Sequence, residues 1–349
     1  MNTTVVVSPA RRAESPGLWT LAWRRFKRDR LGVLSLVVVA FFVALALASM
    51  SGLIAGDWGR EVGVSYAPPS FIGPDEPVAQ GAAAVAPDGA TQAQEPSSIV
   101  DPLAEDLAEL RKELAGTPGA STRAATLPFG GDKWGRDVLS KVVKGTETSL
   151  LVGLAAAALA TFVGTFFGAQ AGYFGGRLDD FFNWLYSVFT SIPYLLLILA
   201  IAAVLNQKGT TTVVLILGFT GWTGIFRLVR AEYLKHKVRE YVQAADAIGA
   251  SDARRMFVHI LPNVSHVVLV QMSLHVVLFI KSEVILSFLG FGVGVETVSW
   301  GSMLNEAQSE LLVGKWWQLA AATVAMATLI TAFSLYTDAV RDALDPRLK

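Results

Sequence analysis

Long apolar runs alternate with short polar segments along most of the chain. A run of about 18 or more apolar residues is long enough to cross a bilayer as a helix. Six runs approach or exceed this length, at approximately residues 31–56, 149–173, 181–205, 210–226, 264–294 and 316–336. The pattern therefore predicts an all-α membrane protein with six transmembrane helices. Roughly 30 residues precede the first run, and that run is too long for a signal-peptide core, so we expect it to be retained.

Basic residues near the ends of the runs predict the orientation of the chain. Five of them precede the first run, namely Arg24, Arg25, Lys27, Arg28 and Arg30. Because short cytoplasmic segments are enriched in Lys and Arg, the N-terminus is expected in the cytoplasm. Six crossings return the C-terminus to the same side, and residues 231–263 between the fourth and fifth runs also become cytoplasmic.

The composition narrows the possible functions. The chain is 52% hydrophobic and 17% charged, with a formal net charge of zero, so nothing favours nucleic acid as a partner. It has no cysteine, which excludes disulfides and thiolate metal sites. It also lacks a G-x-x-x-x-G-K-[ST] loop for ATP. Its histidines are not grouped as metal ligands, so neither catalysis nor a metal site is expected.

A long segment, residues 57–128, follows the first run on the predicted outer side. Its middle is rich in Ala, Pro, Gly and Gln, which is typical of a flexible linker. Residues 101–116 are predicted to form a short helix with an apolar stripe at Leu103, Leu107, Leu110 and Leu114. This helix is either a cap on the membrane domain or a docking site for an external partner.

Residues 130–145 form an amphipathic lead to the second run. Its apolar face is predicted to hold Trp134, Val138, Leu139, Val142 and Val143, and its polar face Arg136, Asp137, Lys141 and Lys144. The segment is either a helix in the bilayer interface or the beginning of the second membrane helix.

Three features refine the membrane helices. The second run is rich in Gly and Ala, which favours close packing inside a bundle or at a subunit interface. Pro193 predicts a kink in the third. Trp316 and Trp317, with Trp300 nearby, are interpreted as anchors in the membrane interface.

The cytoplasmic stretch "EYVQAADAIGASDARRMFVHILPN", residues 240–263, predicts two helices joined at a turn. Its first helix places Tyr241, Ala244, Ala245 and Ile248 on one small apolar face. Gly249 can end that helix with a positive φ, and Ser251 or Asp252 can cap the next. The loop is therefore either a rigid knob for a groove on another protein or a self-packed connection.

This stretch resembles the EAA loop of ABC importer permeases, Glu-Ala-Ala, three residues, Gly, nine residues and Ile-x-Leu-Pro. The chain has Gln243-Ala244-Ala245, Gly249 and 259–262 (HILP) at that spacing, with Gln in place of Glu and His in place of Ile. Other segments resemble the dipeptide and oligopeptide branch, in particular its C-type (DppC/OppC-like) subunit. They are "PFGGDKWGRDVLSKVVKGTETSLLVG", "SEVILSFLGFGV" followed by "SWGSML", and "RDALDPRLK".

The resemblance implies a type I ABC importer permease fold in the bacterial cytoplasmic (inner) membrane. Such a permease pairs with a second, B-type permease and with two ATP-binding subunits that hold ATP and Mg, while this chain binds no cofactor. A substrate-binding protein delivers the solute from outside. The residues implied to contact the ATPase are Tyr241, Gln243, Ala244, Ala245, Gly249, Ala250, Leu261 and Pro262.

The expected function is import of di- or oligopeptides, with nickel, glutathione or another small solute as the alternative within this family. The expected domains are 1–30 (cytoplasmic), 31–56 (first membrane helix), 57–145 (outer insert and interfacial helix), 146–337 (remaining membrane core) and 338–349 (cytoplasmic tail). An ion-driven secondary transporter and a structural membrane subunit are the competing classes. The secondary transporter leaves the EAA-like loop unexplained, and loss of uptake on deletion of the chain would argue against the structural subunit.

Lys281 and Glu283 interrupt the fifth run. Ionisable groups within a membrane helix are costly and often functional. Two positions apart, they point roughly 200° away from each other, so each requires a different partner. They either line the translocation pathway or hold the structure and the permease dimer together.

Overall fold

The computed structural model describes residues 18–74, 123–294 and 296–344. Its helices, in chain order, are α1 Leu18–Phe26, α2 Arg30–Met50, α3 Val138–Phe174, α4 Gly176–Thr190, α5 Tyr194–Leu205, α6 Thr210–Thr220, α7 Thr223–Lys237, α8 Glu240–Ala247, α9 Asp252–Arg254, α10 Leu261–Phe288, α11 Trp300–Leu312 and α12 Trp317–Leu344. A π-helical segment, Arg255–Ile260, joins α9 to α10. The predicted helix at residues 101–116 lies outside the described residues.

Five helical stretches in the described residues are long and apolar enough to cross a membrane. They are Arg30–Met50, Val138–Phe174, Thr210–Lys237, Asp252–Phe288 and Trp317–Leu344. A sixth crossing is present if α4 and α5 are counted together. The all-α membrane class is therefore confirmed, whereas the number of crossings is five or six depending on this pair.

The third predicted run is not a single gently kinked helix. The axes of α4 and α5 differ by 86°, and the break falls at residues 191–193. Pro193 has φ −53° and ψ 129°, which stops the α-helical backbone, and its nitrogen carries no proton for the preceding turn. Pro193 thus predicted the position of the break, but not its angle.

The glycines of α3 allow it to lie directly against the backbone of α7. A Cβ added at Gly164 would lie 2.6 Å from the carbonyl oxygen of Trp222, the residue directly before α7. At Gly168 or Gly172 it would lie 2.8 or 2.6 Å from a carbonyl oxygen of α7, those of Phe226 and Arg230. Any side chain there would push the helices apart. The small residues of α3 therefore serve packing inside the bundle of this chain, the first of the two predicted alternatives.

The segment before the second run is the beginning of a membrane helix and not a separate interfacial helix. α3 continues without a break from Val138 to Phe174. Lys141, predicted on a polar face, is only 1% exposed and its Nζ lies 2.5 Å from Glu306 Oε2 and 3.0 Å from Gln318 Oε1. The predicted polar face did not indicate that Lys141 is buried, because its partners lie far away in the sequence.

The three tryptophans also differ from one another. Trp316 is 45% exposed, as expected for an interface anchor, but Trp317 is 6% exposed. Trp300 is completely buried, and its indole N–H donates to the carbonyl of Val142 over 3.2 Å. The interpretation of Trp300 as an anchor was therefore wrong, since its side chain belongs to the core.

Residues 59–139 form a compact unit, and the remaining chain forms the other. In the described part of 59–139, the buried Asp132 organises a tight turn. Its carboxylate accepts from the backbone N–H groups of Trp134 and Arg136, both over 2.9 Å, and from Arg136 Nε over 2.7 Å. The guanidinium of Arg136 also lies 4.0 Å from the ring centre of Trp134. This turn precedes α3.

Candidate functional site

The loop between α7 and α10 has a buried inner side. Val242 and Ala245 of α8 are 3% and 4% exposed. Val242 belongs to a cluster with Tyr233 of α7 and Met256 and Ile260 of the π-helical segment. The hydroxyl of Tyr233 donates to the carbonyl of Met256 over 3.1 Å. The base of the loop is therefore packed against both flanking membrane helices.

Polar contacts join the two arms of the loop. Arg255 lies between two carboxylates, with Nη1 2.5 Å from Asp246 Oδ1 and Nη2 2.6 Å from Asp252 Oδ1. The Tyr173 hydroxyl, at the end of α3, donates to the same oxygen of Asp252 over 2.8 Å. Both carboxylates are more than half exposed, so each ion pair contributes at most about 1 kcal/mol. Together they fix the angle between the arms.

The turn at Gly249 has the predicted geometry. Gly249 has φ +82°, and its N–H donates to the carbonyl of Asp246 over 2.8 Å, while that of Ala250 donates to Ala245 over 3.0 Å. These two bonds form a Schellman motif, which ends α8. Ser251 then caps α9, its hydroxyl accepting from the N–H of Arg254 over 3.4 Å. The loop is a defined helix–turn–helix.

The outer side of the loop is apolar and uncovered in the described residues. Ile248 is 84% exposed and Tyr241 38%, and Ala244 is also exposed. We call Tyr241, Ala244 and Ile248 the loop tip. The predicted face of four residues is therefore divided, since Ala245 lies inside. Partial burial raises the pKa of the Tyr241 hydroxyl, which lies 2.8 Å from His236 Nδ1.

The predicted ATPase contact also includes Gln243, Leu261 and Pro262. Gln243 is exposed, and its amide donates to the carbonyl of Val238 over 3.3 Å. Leu261 and Pro262 lie at the start of α10, half-buried and exposed respectively. Pro262 does not break the helix, because the π-helical turns directly before it accommodate the missing N–H. As a result, Asp252–Phe288 is one continuous stretch.

Glu283 lies near the far end of α10 and is completely buried. Its Oε2 accepts from the hydroxyl of Ser149 on α3 over 2.8 Å, and its Oε1 from Ser287 over 2.7 Å. The Ser287 hydroxyl also accepts from the N–H of Val293 over 3.3 Å. This carboxyl group therefore joins α3, α10 and the segment after α10 within one chain.

Lys281 is exposed on the opposite side of α10, as the helical period predicted. Within the described part of the chain it makes no hydrogen bond or ion pair. Lys281 and Glu283 thus do not form one site. One is satisfied inside the bundle and the other faces its surface.

Two polar connections were missed from the sequence. Arg230 on α7 forms a bidentate pair with Asp179 on α4, with Nε 2.5 Å from Oδ1 and Nη2 2.6 Å from Oδ2. The Lys141–Glu306 pair joins α3 to α11. Their members lie 51 and 165 residues apart, so no local pattern connects them. Among the described residues no group of three His, Cys, Asp or Glu side chains could hold a metal ion.

Comparisons with known proteins agree with this architecture. Residues 160–349 match the family described as "Binding-protein-dependent transport system inner membrane component". Residues 17–69 match the "N-terminal TM domain of oligopeptide transport permease C". The first match includes the loop, α10 and α12. The two matches leave residues 70–159 outside, and these include most of the long segment between the first two membrane helices.

The similar curated proteins are permease proteins of dipeptide, oligopeptide and glutathione transport systems. The dipeptide transport system permease protein DppC of Bacillus subtilis is 38% identical over 221 residues, covering 63% of this chain and 69% of the relative. The glutathione transport system permease protein GsiD of Pectobacterium atrosepticum is 34% identical over 221 residues, covering 63% and 73%. A dipeptide permease, DppC, of Lactococcus lactis subsp. cremoris is 28% identical over 337 residues, covering 93% and 90%.

Proposed function

The chain belongs to the family of binding-protein-dependent transport system inner membrane components, and we propose that it is the C-type permease of an ATP-driven importer of di- and oligopeptides. The family is non-catalytic, and its members are multi-pass inner-membrane proteins of ABC transporters of the peptide type. Membership implies an ATPase and a substrate-binding protein as partners. The peptide substrate and the details of assembly are our proposal.

Peptides are favoured by the relatives. The oligopeptide permease C model matches the N-terminal part, and the names of most of the similar proteins contain dipeptide or oligopeptide transport. The glutathione permease is the specific reason to keep a second candidate. Glutathione is itself a small peptide-like solute.

The observation that carries the mechanism is the exposed loop tip on a packed base. Ile248 leaves 84% of its surface uncovered, although Val242 and Ala245, earlier in the same loop, are buried. An apolar tip of this kind fits a groove on the ATP-binding subunit. We therefore assign Tyr241, Gln243, Ala244, Ile248, Gly249 and Ala250 to that contact, with Ala245, Leu261 and Pro262 holding its shape.

Movement of the loop can be transmitted to the membrane helices. The tip helix α8 packs through Val242 on Met256 and Ile260, and Asp246 pairs with Arg255. Both partners belong to the continuous stretch Asp252–Phe288, so displacement of the tip is transmitted to α10. When ATP and Mg close the two ATP-binding subunits, they hold the tips of this chain and of a B-type permease in a new position. The ligand then shifts the population from an inward-facing to an outward-facing pathway. Both termini lie in the cytoplasm in this arrangement.

We assign different roles to Lys281 and Glu283, the two ionisable residues of the fifth apolar run. Glu283 makes its hydrogen bonds inside this chain, which supports the structural alternative. Lys281 is exposed on α10, which supports contact with the second permease or with the translocation pathway. A cation in the pathway would attract the carboxylate end of a peptide.

Affinity purification from the native membrane in mild detergent tests the assembly. We expect ATP-binding subunits to accompany the wild-type chain and to be lost from Ile248→Asp. Ala253→Asp is the matched control, because Ala253 is exposed in the same loop but outside the tip. Failure to recover an ATP-binding subunit with the wild-type chain, even after cross-linking, would overturn the proposal.

Uptake into proteoliposomes containing the purified complex and its binding protein tests the substrate. We expect ATP-dependent uptake of a labelled dipeptide or oligopeptide. Uptake of glutathione alone would select the second candidate. Uptake driven by an ion gradient without ATP would contradict the mechanism.

A further inference from the structure

An apolar groove lies between α1 and two membrane helices, away from the loop. It has a volume of about 290 Å³ and is lined by Trp23 and Phe26 of α1, Leu36 of α2, and Tyr336 and Val340 of α12, among others. Trp23 stacks on Phe26 with 5.9 Å between ring centres, and Phe26 meets Tyr336 edge-on at the same distance. Aromatic rings therefore form one wall of the groove.

Basic residues neighbour the groove-lining residues of α1 in the sequence. The exposed ones are Arg24, Lys27, Arg28 and Arg30. The ammonium group of Lys27 lies 5.1 Å from the ring centre of Trp23, so one cation lies directly beside the lining. Trp23 itself is 53% exposed. An exposed indole next to cations is typical of the headgroup level of a membrane.

Residues 24–30 contain five basic residues and one acidic residue, Asp29, so this patch keeps a net positive charge. Asp29 accepts from the N–H of Leu31 over 3.0 Å and caps α2. Asp338 and Asp342 are each two positions from Val340, which places them on the opposite side of α12 from the groove. The groove is therefore bordered by positive charge.

Helix α2 runs from the basic residues past the groove toward the hydrocarbon region. Arg30 is the first residue of α2, a membrane-crossing helix. Leu36, in the groove lining, lies further along this helix by about 9 Å. A ligand that follows the groove thus has one end among cations and the other among apolar side chains inside the bilayer.

We propose that this groove binds an anionic phospholipid. The phosphate group would lie against Lys27 and Arg28, and an acyl chain would lie between α1, α2 and α12. A free phosphate ion leaves the apolar lining uncovered, and an uncharged lipid leaves the cations without a counterion. The ligand chemistry is therefore that of a negatively charged lipid headgroup attached to an acyl chain.

Native mass spectrometry of the purified full-length chain tests this assignment. The probes are phosphatidylglycerol and phosphatidylcholine with identical acyl chains. We expect selective retention of phosphatidylglycerol. The double variant Lys27→Gln with Arg28→Gln should weaken its binding about tenfold or more and leave phosphatidylcholine unchanged. Both residues are exposed, so the fold is expected to persist.

Two further variants separate the contributions. Arg177→Gln with Arg227→Gln removes two exposed cations elsewhere in the helical part of the chain and should leave phosphatidylglycerol binding unchanged. Val340→Trp fills the groove and should weaken binding of both lipids. Equal binding of the two lipids by the wild-type chain, or equal losses in both double variants, would overturn the proposal. Phosphatidylglycerol binding that occurs only after removal of residues 2–16 would overturn it as well, by assigning the groove to the terminal segment.

Discussion

The loop before α10 and the far end of α10 place their unusual residues differently. In the loop, Ile248 is 84% exposed, although Val242 and Ala245, earlier in the same loop, are buried. Near the far end of α10, the carboxyl group of Glu283 is completely buried and accepts hydrogen bonds from two hydroxyl groups of the same chain. An apolar surface that stays exposed on a well-packed base indicates a binding partner. A polar group satisfied inside the chain indicates a role in the fold.

The loop itself contains the same contrast at neighbouring positions, and substitution there gives the largest expected effect. Ala245→Glu would bury an unpaired charge at a position that is 4% exposed, and we expect a loss of about 3 kcal/mol or more. Ala244→Glu, one residue earlier and exposed, should change the free energy of unfolding by less than about 0.5 kcal/mol. Thermal unfolding of the two variants in detergent measures the difference. Equal destabilisation would show that the base is not packed as described.

Glu283 gives the second-largest effect. Glu283→Ala leaves the hydroxyls of Ser149 and Ser287 without their acceptor and opens a cavity, so we expect a loss of about 2–4 kcal/mol. Glu283→Gln keeps an acceptor and should lose about 1 kcal/mol while retaining assembly. The same unfolding assay, with co-purification of the partner subunits, checks both. A Glu283→Gln variant that assembles normally but transports nothing would support the pathway alternative.

Substitutions at Gly249 test whether the turn requires glycine for its backbone conformation or for the room that a missing side chain leaves. Its φ is +82°, and nothing lies within 4 Å of an added Cβ. Gly249→Val should therefore lose about 1–2 kcal/mol through strain, and Gly249→Asn less, because Asn tolerates this region. Unfolding measurements on the pair decide the point. If both variants were as stable as the wild type, the turn would not require glycine.

Lys281 gives the smallest expected change in stability. It is exposed and makes no ion pair among the described residues, so Lys281→Gln should alter the free energy of unfolding by less than about 0.5 kcal/mol. A fall in peptide uptake with unchanged co-purification of the second permease would assign it to the pathway. Loss of the second permease would assign it to the dimer contact instead. A large loss of stability in the isolated chain would contradict the surface position.

Much of the loop could be predicted from the sequence because its signals are local. Gly249 and Ser251 act through bonds to residues within five positions, so the turn and the cap followed from residue types and spacing. The division of the apolar face did not follow. Ala245 lies at the edge of that face, and Tyr233 and Met256 determine which side faces inward. Those residues come from other elements.

For the membrane helices, too, local properties could be predicted from the sequence but contacts between elements could not. Their apolar length is a property of the sequence, and all five long stretches coincide with predicted runs. The 86° bend between α4 and α5 depends on packing, which proline alone does not specify. Burial of Lys141 depends on Glu306, 165 residues away, so no local pattern indicated it. Long-range polar partners could not be predicted from local sequence.

The most direct test of the central claim uses the absence of cysteine from this chain. Ile248→Cys and Ala253→Cys each introduce one thiol for a short thiol-specific photo-cross-linker, in the assembled complex with its own ATP-binding subunits. We predict that Ile248→Cys forms an adduct with an ATP-binding subunit and that Ala253→Cys forms little or none. An Ile248→Cys chain that is fully labelled and assembled, yet cross-links only to itself, would contradict the account.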